Sequence, residues 1–576
     1  MDGKPQYQHP GHGDRTLTVP RHVGDNVLPN VPFFERLLRF AHRQPPRIAI
    51  RDLTAGFEKT YLQLLTDALA LRRALRASLS SSTTRALDED EEVFIALIAP
   101  GGYEYAVAFA AILALGAAVV PITTALPIEE AKSLVLRAQC VAILSSSNAT
   151  ALTQGIIQAI ATTTSPPTPQ LPHLTITYHL QPTPLPPSSI TISSNPVPNM
   201  NRAALAIFTS GTTGPPKGAV QRRSYITSAA DDVADHYSLT EKDTVLHLLP
   251  VHHATGIGIT FLPFLTSGAT IEFRTGSFDP AWTWERWAKG GGLSVFSGVP
   301  TIYTRMMRYF ESQISTLSAA CQERYIQGAR NLRVLLCGTS ALPGPVQGFW
   351  TRILDGKPIL TRYGGTEFHA VLKAGLDGST PMNGVGRVSP GVEIKVSDEG
   401  MVLVKGPNLF SKYLHDPGAT AAAHDTDGYF MTGDIARRED EEYFILGRAS
   451  IDIIKSGGYK LSALDIEREI LGLDYIAEVM VVGVEDEEYG QRVAAAVTLK
   501  DGMKHLSLER LRVDLRGVLA GYKMPTVLRV VEGEIPKSAT GKVQKKILGP
   551  KYFGPRWRRE VGVQVWDRGR TVGAKL

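Results

Sequence analysis

Between Val93 and Ile122 the chain is apolar almost without a break, VFIALIAPGGYEYAVAFAAILALGAAVVPI, and its length raises the question of a membrane span. Pro100-Gly101-Gly102 interrupts it, however, and Glu104 sits inside it. The pattern predicts a short buried strand over Val93–Ala99, a turn, an apolar helix over Glu104–Leu115, then Gly116 and a second strand. Such a strand–helix–strand unit belongs inside a layered α/β protein. Strand-like and helix-like runs alternate in the same way from Glu35 to Ser146 and again from Ala203 to about Leu446.

Two changes of texture divide this alternation. Residues 165–198 carry ten prolines among Ser and Thr, which excludes a continuous helix or central strand and predicts a surface insertion or connector, poorly ordered in part. A second boundary falls at Gly447-Arg448. Beyond it the pattern predicts a strand (Ile451–Lys455), a turn at Gly457-Gly458, a helix (Ala463–Leu471), two apolar strands (AEVMVVGVED and RVAAAVTL) and a helix (Leu508–Leu519). The expected organisation is therefore a large α/β domain over 31–447 and a small α+β domain over 448–549. A basic, flexible tail is expected over 550–576.

With 576 residues, 43% hydrophobic and 20% charged, the chain can bury several cores and is neither disordered nor fibrous. A net charge of +5 without long basic tracts does not point to nucleic acid. Three scattered cysteines do not make a disulfide framework and fit a reducing compartment. The first residues have no apolar secretory core. The last three, Ala574-Lys575-Leu576, resemble the SKL address and predict a peroxisomal import receptor as a partner, with the cytoplasm as the other location.

The strongest local signal is TSGTTGPPKGAV, Thr209 to Val220, after a strand-like run. Its glycines let backbone N–H groups approach phosphate oxygens, its hydroxyls add donors and Lys217 adds charge. It is not a Walker loop, because Lys217 follows Pro216 and no Ser or Thr follows it. Read alone, it is also compatible with an ordinary polar turn. Further on come RYGGTEF (Arg362–Phe368), YFMTGD (Tyr429–Asp434), GRASIDIIKSGGYK (Gly447–Lys460) and PKSATGK (Pro536–Lys542). Together, and in this order, these segments resemble the phosphate loop, YGxTE, TGD, hinge and C-terminal lysine motifs of the adenylate-forming superfamily. That superfamily comprises acyl-CoA synthetases, adenylation domains and luciferases. The resemblance covers roughly Val31 to Leu548 and is nearest to malonyl-CoA synthetase-like ligases in wording such as GPNLFSKYL.

The resemblance implies roles residue by residue. Thr209, Ser210, Gly211, Thr212, Thr213, Gly214 and Lys217 would cradle the ATP phosphates. Glu367, with Thr213, would hold Mg²⁺, a hard cation that prefers oxygen ligands. Tyr363, Gly364 and Thr366 would line the nucleotide, Asp434 would accept hydrogen bonds from the ribose, and Arg448 would support the sugar or phosphate. Lys542 would act on the reacting oxygens, where two anions are joined, with Lys217 and Glu367 beside it as catalytic groups. Ser456, Gly457 and Gly458 would border the thiol of coenzyme A. Ser450 stands where the family often carries Asp or Lys as hinge pivot, and Gly365 and CGTSALP also depart from its usual wording.

For the acid itself, His253, Arg305 and Arg362 fall where the family builds its acyl pocket. A buried unpaired arginine is costly, and the second carboxylate of a short diacid would pair with it bidentately. The implied activity is ATP-dependent carboxylate–CoA ligation through an acyl-adenylate, on malonate or methylmalonate. Another short, medium-chain or secondary-metabolite acid, a free-standing adenylation enzyme loading a carrier protein, and a catalytically silent nucleotide-binding protein are the alternatives. No HExxH or GxSxG motif supports a hydrolase.

Overall fold

The computed structural model describes residues 26–163, 171–195, 197–209, 216–338, 342, 344–500, 502–503, 505–537, 542–567 and 570–571. Strand Phe94–Ile98 is buried at all five positions and pairs in parallel with Ala118–Ile122 on one side and Ile143–Ser145 on the other. Parallel strands covered on both faces read as unbroken apolar runs, which is why this stretch lacks alternation. These strands centre a seven-stranded sheet. A nine-stranded sheet lies beside it, its middle built from Thr244–His247, Val295–Gly298, Val334–Cys337 and Leu360–Gly365. Helix Tyr103–Leu115 is apolar on every face and buried on every face, packed against helix Tyr61–Ser78, and Gly116 closes it with φ 89°. Among the described residues no helix is long and apolar enough to cross a membrane.

The proline-rich stretch is partly built into this lobe. His173–Thr175 adds an edge strand in parallel to Ile143–Ser145, and Thr191–Ile192 pairs with Val27–Leu28. Between them the backbone is tied to helix Tyr61–Ser78, with Gln181 N donating to Asp67 Oδ1 at 2.7 Å and Leu185 N to Thr66 Oγ1 at 2.9 Å. Residues 164–170 lie outside the described residues.

A four-stranded antiparallel sheet, Glu393–Val396, Met401–Lys405, Phe430–Glu439 and Glu442–Arg448, leads to the small lobe. There the long hairpin Ile476–Asp486 and Gly490–Leu499 forms the spine of a sheet with apolar clusters on both faces. Helix Ala463–Leu471 has its expected bounds, with Ser462 Oγ capping Asp465 N at 3.1 Å. Two expectations are corrected. The hinge strand starts at Ile453 because residues 448–452 form a turn, closed by Asp452 N donating to Arg448 O at 2.8 Å. The later helix stops at Asp514, before Gly517 takes a φ of 96°. The expected flexible tail is also corrected up to Asp567. Val563–Asp567 pairs antiparallel with Val527–Val530, and Trp557 is buried with its Nε1 donating to Glu485 O at 3.2 Å. Its apolar residues complete the outer face of the sheet. Ala574-Lys575-Leu576 lies outside the described residues.

Candidate active site

Thr209 and Lys217 are cross-strand partners at one end of the antiparallel pair Ala203–Thr209 and Lys217–Arg222. Thr209 Oγ1 donates to Lys217 O at 3.3 Å. Ser210, Gly211, Thr212, Thr213 and Gly214 lie outside the described residues. The Lys217 side chain is exposed, and its Nζ stands 5.1 Å from the centroid of the Tyr413 ring. The Tyr413 hydroxyl donates to Glu367 Oε1 at 2.9 Å. One tyrosine therefore joins the lysine and the carboxylate expected at the phosphates, and burial together with Glu367 pushes its own pKa up. Nothing in the sequence pattern singled out Tyr413. A single half-buried carboxylate fits Mg²⁺, which keeps several waters and takes most of its remaining ligands from phosphates. Among the described residues no cluster of three or more His, Cys, Asp or Glu offers an all-protein metal cage.

Gly364 is held to glycine by crowding, since a Cβ there would lie 2.0 Å from His369 O. Thr366 O accepts from the buried Gln221 Nε2 at 2.6 Å. Tyr363 lies on the same strand, and its hydroxyl donates to Asp434 Oδ2 at 2.8 Å. Asp434 Oδ1 accepts from Arg448 Nε at 2.9 Å, and the two residues are cross-strand partners just before the hinge turn. Burial opposes the Arg448 charge, but Asp434 and Glu367 outweigh it and hold its pKa above the usual value. Lys542 completes the group. Loss of water around it lowers its pKa, the charge of Arg448 adds to the effect, and Asp434 and Asp452 oppose it. The residue as a whole stays exposed. The structure thus brings Tyr363, Asp434, Arg448 and Lys542 together.

The acid-pocket residues divide. Arg305 is exposed on helix Pro300–Ser312, over the Phe278 ring at 5.1 Å from the centroid. His253 lies against His252, ring centroids 4.3 Å apart and planes tilted by 45°, and burial, with Lys542 nearby, lowers its pKa to about 4. At neutral pH it is an uncharged imidazole, where the sequence suggested a cation. Arg362 is different. It is 7% exposed, burial pushes its pKa down, and neither Nη1 nor Nη2 has a hydrogen-bond partner. Gly338 presses against it, so that a Cβ there would come within 2.9 Å of Arg362 Cζ. Directly opposite in the neighbouring strand is Lys373, 1% exposed and ion-paired with Asp232. Asp232 is thus spent on Lys373. His369 beside them, with its pKa lowered to about 4 by burial, offers no negative charge. Ser456, Gly457 and Gly458 form a tight hairpin in the small lobe, both glycines at positive φ (55° and 83°), as a two-residue turn requires.

A family model described as AMP-binding enzyme matches residues 37–414, and one described as AMP-binding enzyme C-terminal domain matches 465–542. The chain is 31% identical to malonate–CoA ligase ACSF3, mitochondrial, of Homo sapiens, over 94% of this chain and 96% of that one. It is 37% identical to a malonate–CoA ligase of Arabidopsis thaliana over 60% of each. Among solved structures, ATP-bound MatB from Rhodopseudomonas palustris superposes with a TM-score of 0.76 at 25% identity, over 91% of this chain and 99% of that one. A malonyl-CoA ligase complex with methylmalonyl-CoA and AMP superposes with a TM-score of 0.58 at 27% identity, over 87% and 99%.

Asp434 bridges Tyr363 and Arg448, so Asp434→Ala should weaken ATP binding by at least about tenfold, equivalent to roughly 1.4 kcal/mol. Isothermal titration calorimetry on the purified chain checks this, and unchanged affinity would separate the triad from the nucleotide.

Proposed function

The chain belongs to the AMP-binding enzyme family, and we propose that the acid it activates is a short dicarboxylate, malonate first. It is an AMP-forming acyl-CoA synthetase with the two-lobed fold of that family. ATP and coenzyme A are its co-substrates. We place the boundary of the lobes between Gly447 and Arg448.

The observation that carries the choice of acid is Arg362. An ionised guanidinium buried without a partner costs several kcal/mol, of order that for any stranded buried charge. A monocarboxylic acid places its only carboxylate at the α-phosphate and leaves Arg362 uncompensated. A diacid places the second one against it, where charge-assisted, bidentate pairing is strongest. His253, neutral, would add a hydrogen bond rather than a charge. Relatives named malonate–CoA ligase support the same reading.

In the first step a carboxylate oxygen of the acid attacks the α-phosphorus of ATP and the bond to pyrophosphate breaks. Lys217 and the loop before it would hold the phosphates, Asp434 would orient the ribose, and Lys542 would steady the charge on the reacting oxygens. Mg²⁺, held by Glu367, would supply neutralising charge to the phosphates. In the second step the thiolate of coenzyme A attacks the acyl carbon and AMP leaves. Ser456, Gly457 and Gly458 would border that thiol after the small lobe has turned.

Release of AMP with malonate, methylmalonate, butyrate, octanoate and cinnamate tests the acid. We expect turnover of the first two, and a loss of at least about 100-fold in kcat/KM for malonate in Arg362→Met, the worth of a paired buried charge. Butyrate turnover should be little changed by that substitution, and activity confined to octanoate or cinnamate would overturn the reading. Lys542→Ala should abolish carboxylate-dependent exchange of pyrophosphate into ATP without moving the melting temperature, and normal exchange would remove Lys542 from the chemistry.

For location, we propose import into peroxisomes through Ala574-Lys575-Leu576, on the sequence alone. A tagged chain should lose its punctate signal when the tripeptide is deleted, and an unchanged distribution would end the proposal.

A further inference from the structure

Lys545 lies three positions beyond Lys542, at the first turn of helix Lys545–Tyr552. Its Nζ stands 2.7 Å from Asp452 Oδ1 and 2.8 Å from Glu467 Oε1, and the three side chains are 9%, 14% and 14% exposed. Each acid is itself tied to backbone. Asp452 Oδ2 accepts from Arg448 N at 3.0 Å, and Glu467 Oε1 accepts from Val481 N at 2.7 Å. Asp452 belongs to the hinge turn, with its own N donating to Arg448 O at 2.8 Å and its carbonyl accepting from Ala463 N at 2.7 Å. The three groups therefore connect the segment carrying Lys542, the turn between the lobes and the spine of the small sheet through one ammonium.

A buried cluster of this kind contributes little net stability compared with well-packed apolar side chains. Its geometry is more specific than its energy. An ammonium with donors to two fixed carboxylates has one place to be, and an apolar residue there would allow the following helix to shift along its axis. We propose that Lys545, held by Asp452 and Glu467, is a positioning residue that sets the reach of Lys542 from the hinge, and so serves the adenylating step and not the thioester-forming one. The proposal rests on the reading of Lys542 given above. On the other side of the turn Arg448 holds Asp434 at 2.9 Å, so the ribose carboxylate and the lysine are referenced to the same five-residue turn, 448–452.

The two half-reactions separate positioning from stability. With the full-length enzyme and whichever acid the native protein turns over, pyrophosphate exchange into ATP reports the first step. AMP-dependent release of free thiol from the corresponding acyl-CoA reports the second. Lys545→Met should lower exchange by at least about tenfold while thiol release stays within about twofold, tenfold being the loss of roughly 1.4 kcal/mol at one transition state. Asp452→Asn should act in the same direction. Lys545→Arg, whose guanidinium reaches both carboxylates, should restore exchange to within about threefold of native. Unaltered exchange in Lys545→Met, or an equal fall in both half-reactions with a lowered melting temperature, would overturn the proposal and leave the functional reading standing. A native enzyme inert in exchange with every acid would overturn that reading and the positioning role with it.

Discussion

A guanidinium buried without a counter-charge is the constraint on which the proposed acid site depends. Arg362 and Lys373 are opposite one another in adjacent antiparallel strands, and residues so paired share a face of the sheet. Asp232 reaches that face and is taken by Lys373. The surroundings of Arg362 are Gly338, Tyr237, Cys337 and Tyr303, and burial pushes the Tyr237 phenol and the Cys337 thiol each up to about 12, so both are neutral at physiological pH. Nothing in the described protein supplies the negative charge, and an anion that enters gains the interaction in a setting from which water has already been removed. Discrimination against an acid with one carboxylate then follows from what is left stranded, which is a stronger discriminator than a mismatch in apolar volume.

The nucleotide side obeys a different logic. Asp434 and Arg448 face each other across the hairpin Phe430–Glu439 and Glu442–Arg448, which ends where the lobe boundary is placed, and the chain passes from Arg448 directly into the hinge turn. On the proposed roles, Asp434 would stay fixed on one side of the hinge while Lys542 would be carried by the other. Rotation about residues 448–452 can withdraw the lysine without disturbing Asp434, whose other oxygen is held by Tyr363 from the nine-stranded sheet. Alternation between two steps on one bound nucleotide needs that division of labour.

Much of this was legible in the residues because chemistry with phosphates demands local, ordered signals. Thr209, Lys217, Tyr363, Glu367, Asp434, Arg448 and Lys542 each lie in a short run whose composition announces a turn beside a strand. Helix Ala463–Leu471 was legible to the residue, since Ser462 and its amphipathic pattern mark both ends. What was not legible depends on tertiary neighbours. Tyr413 is one tyrosine among 19 until the fold lays it between Lys217 and Glu367. His253 reads as a possible cation until burial makes it neutral. Arg362 reads in the sequence as the stronger of the two arginines and Arg305 as the weaker, and the fold shows how far apart they are: Arg305 lies over Phe278 in solvent and Arg362 is enclosed. The stretch from Trp557 to Asp567 looks like a basic tail because its few apolar residues are spaced by charges, and only the waiting edge of Val527–Val530 makes them a strand.

That contrast between the two arginines bears on how the site binds anything at all. Three cations assigned to the proposed site are in states that an isolated protein would not favour. Arg362 has no counter-charge, Lys217 rests over an aromatic ring instead of a carboxylate, and Lys542 is disfavoured by Arg448. On the proposed reading each would meet an anion: the far carboxylate of the acid, the triphosphate, the oxygens between them. An exposed arginine such as Arg305 is already solvated, so pairing it gains about 0–1 kcal/mol. Arg362 has given up its water in the fold, and the anion that meets it recovers an interaction the protein alone leaves unmade. Affinity for dianions is in this sense a property of the folded chain's unsatisfied charge, set before any substrate arrives.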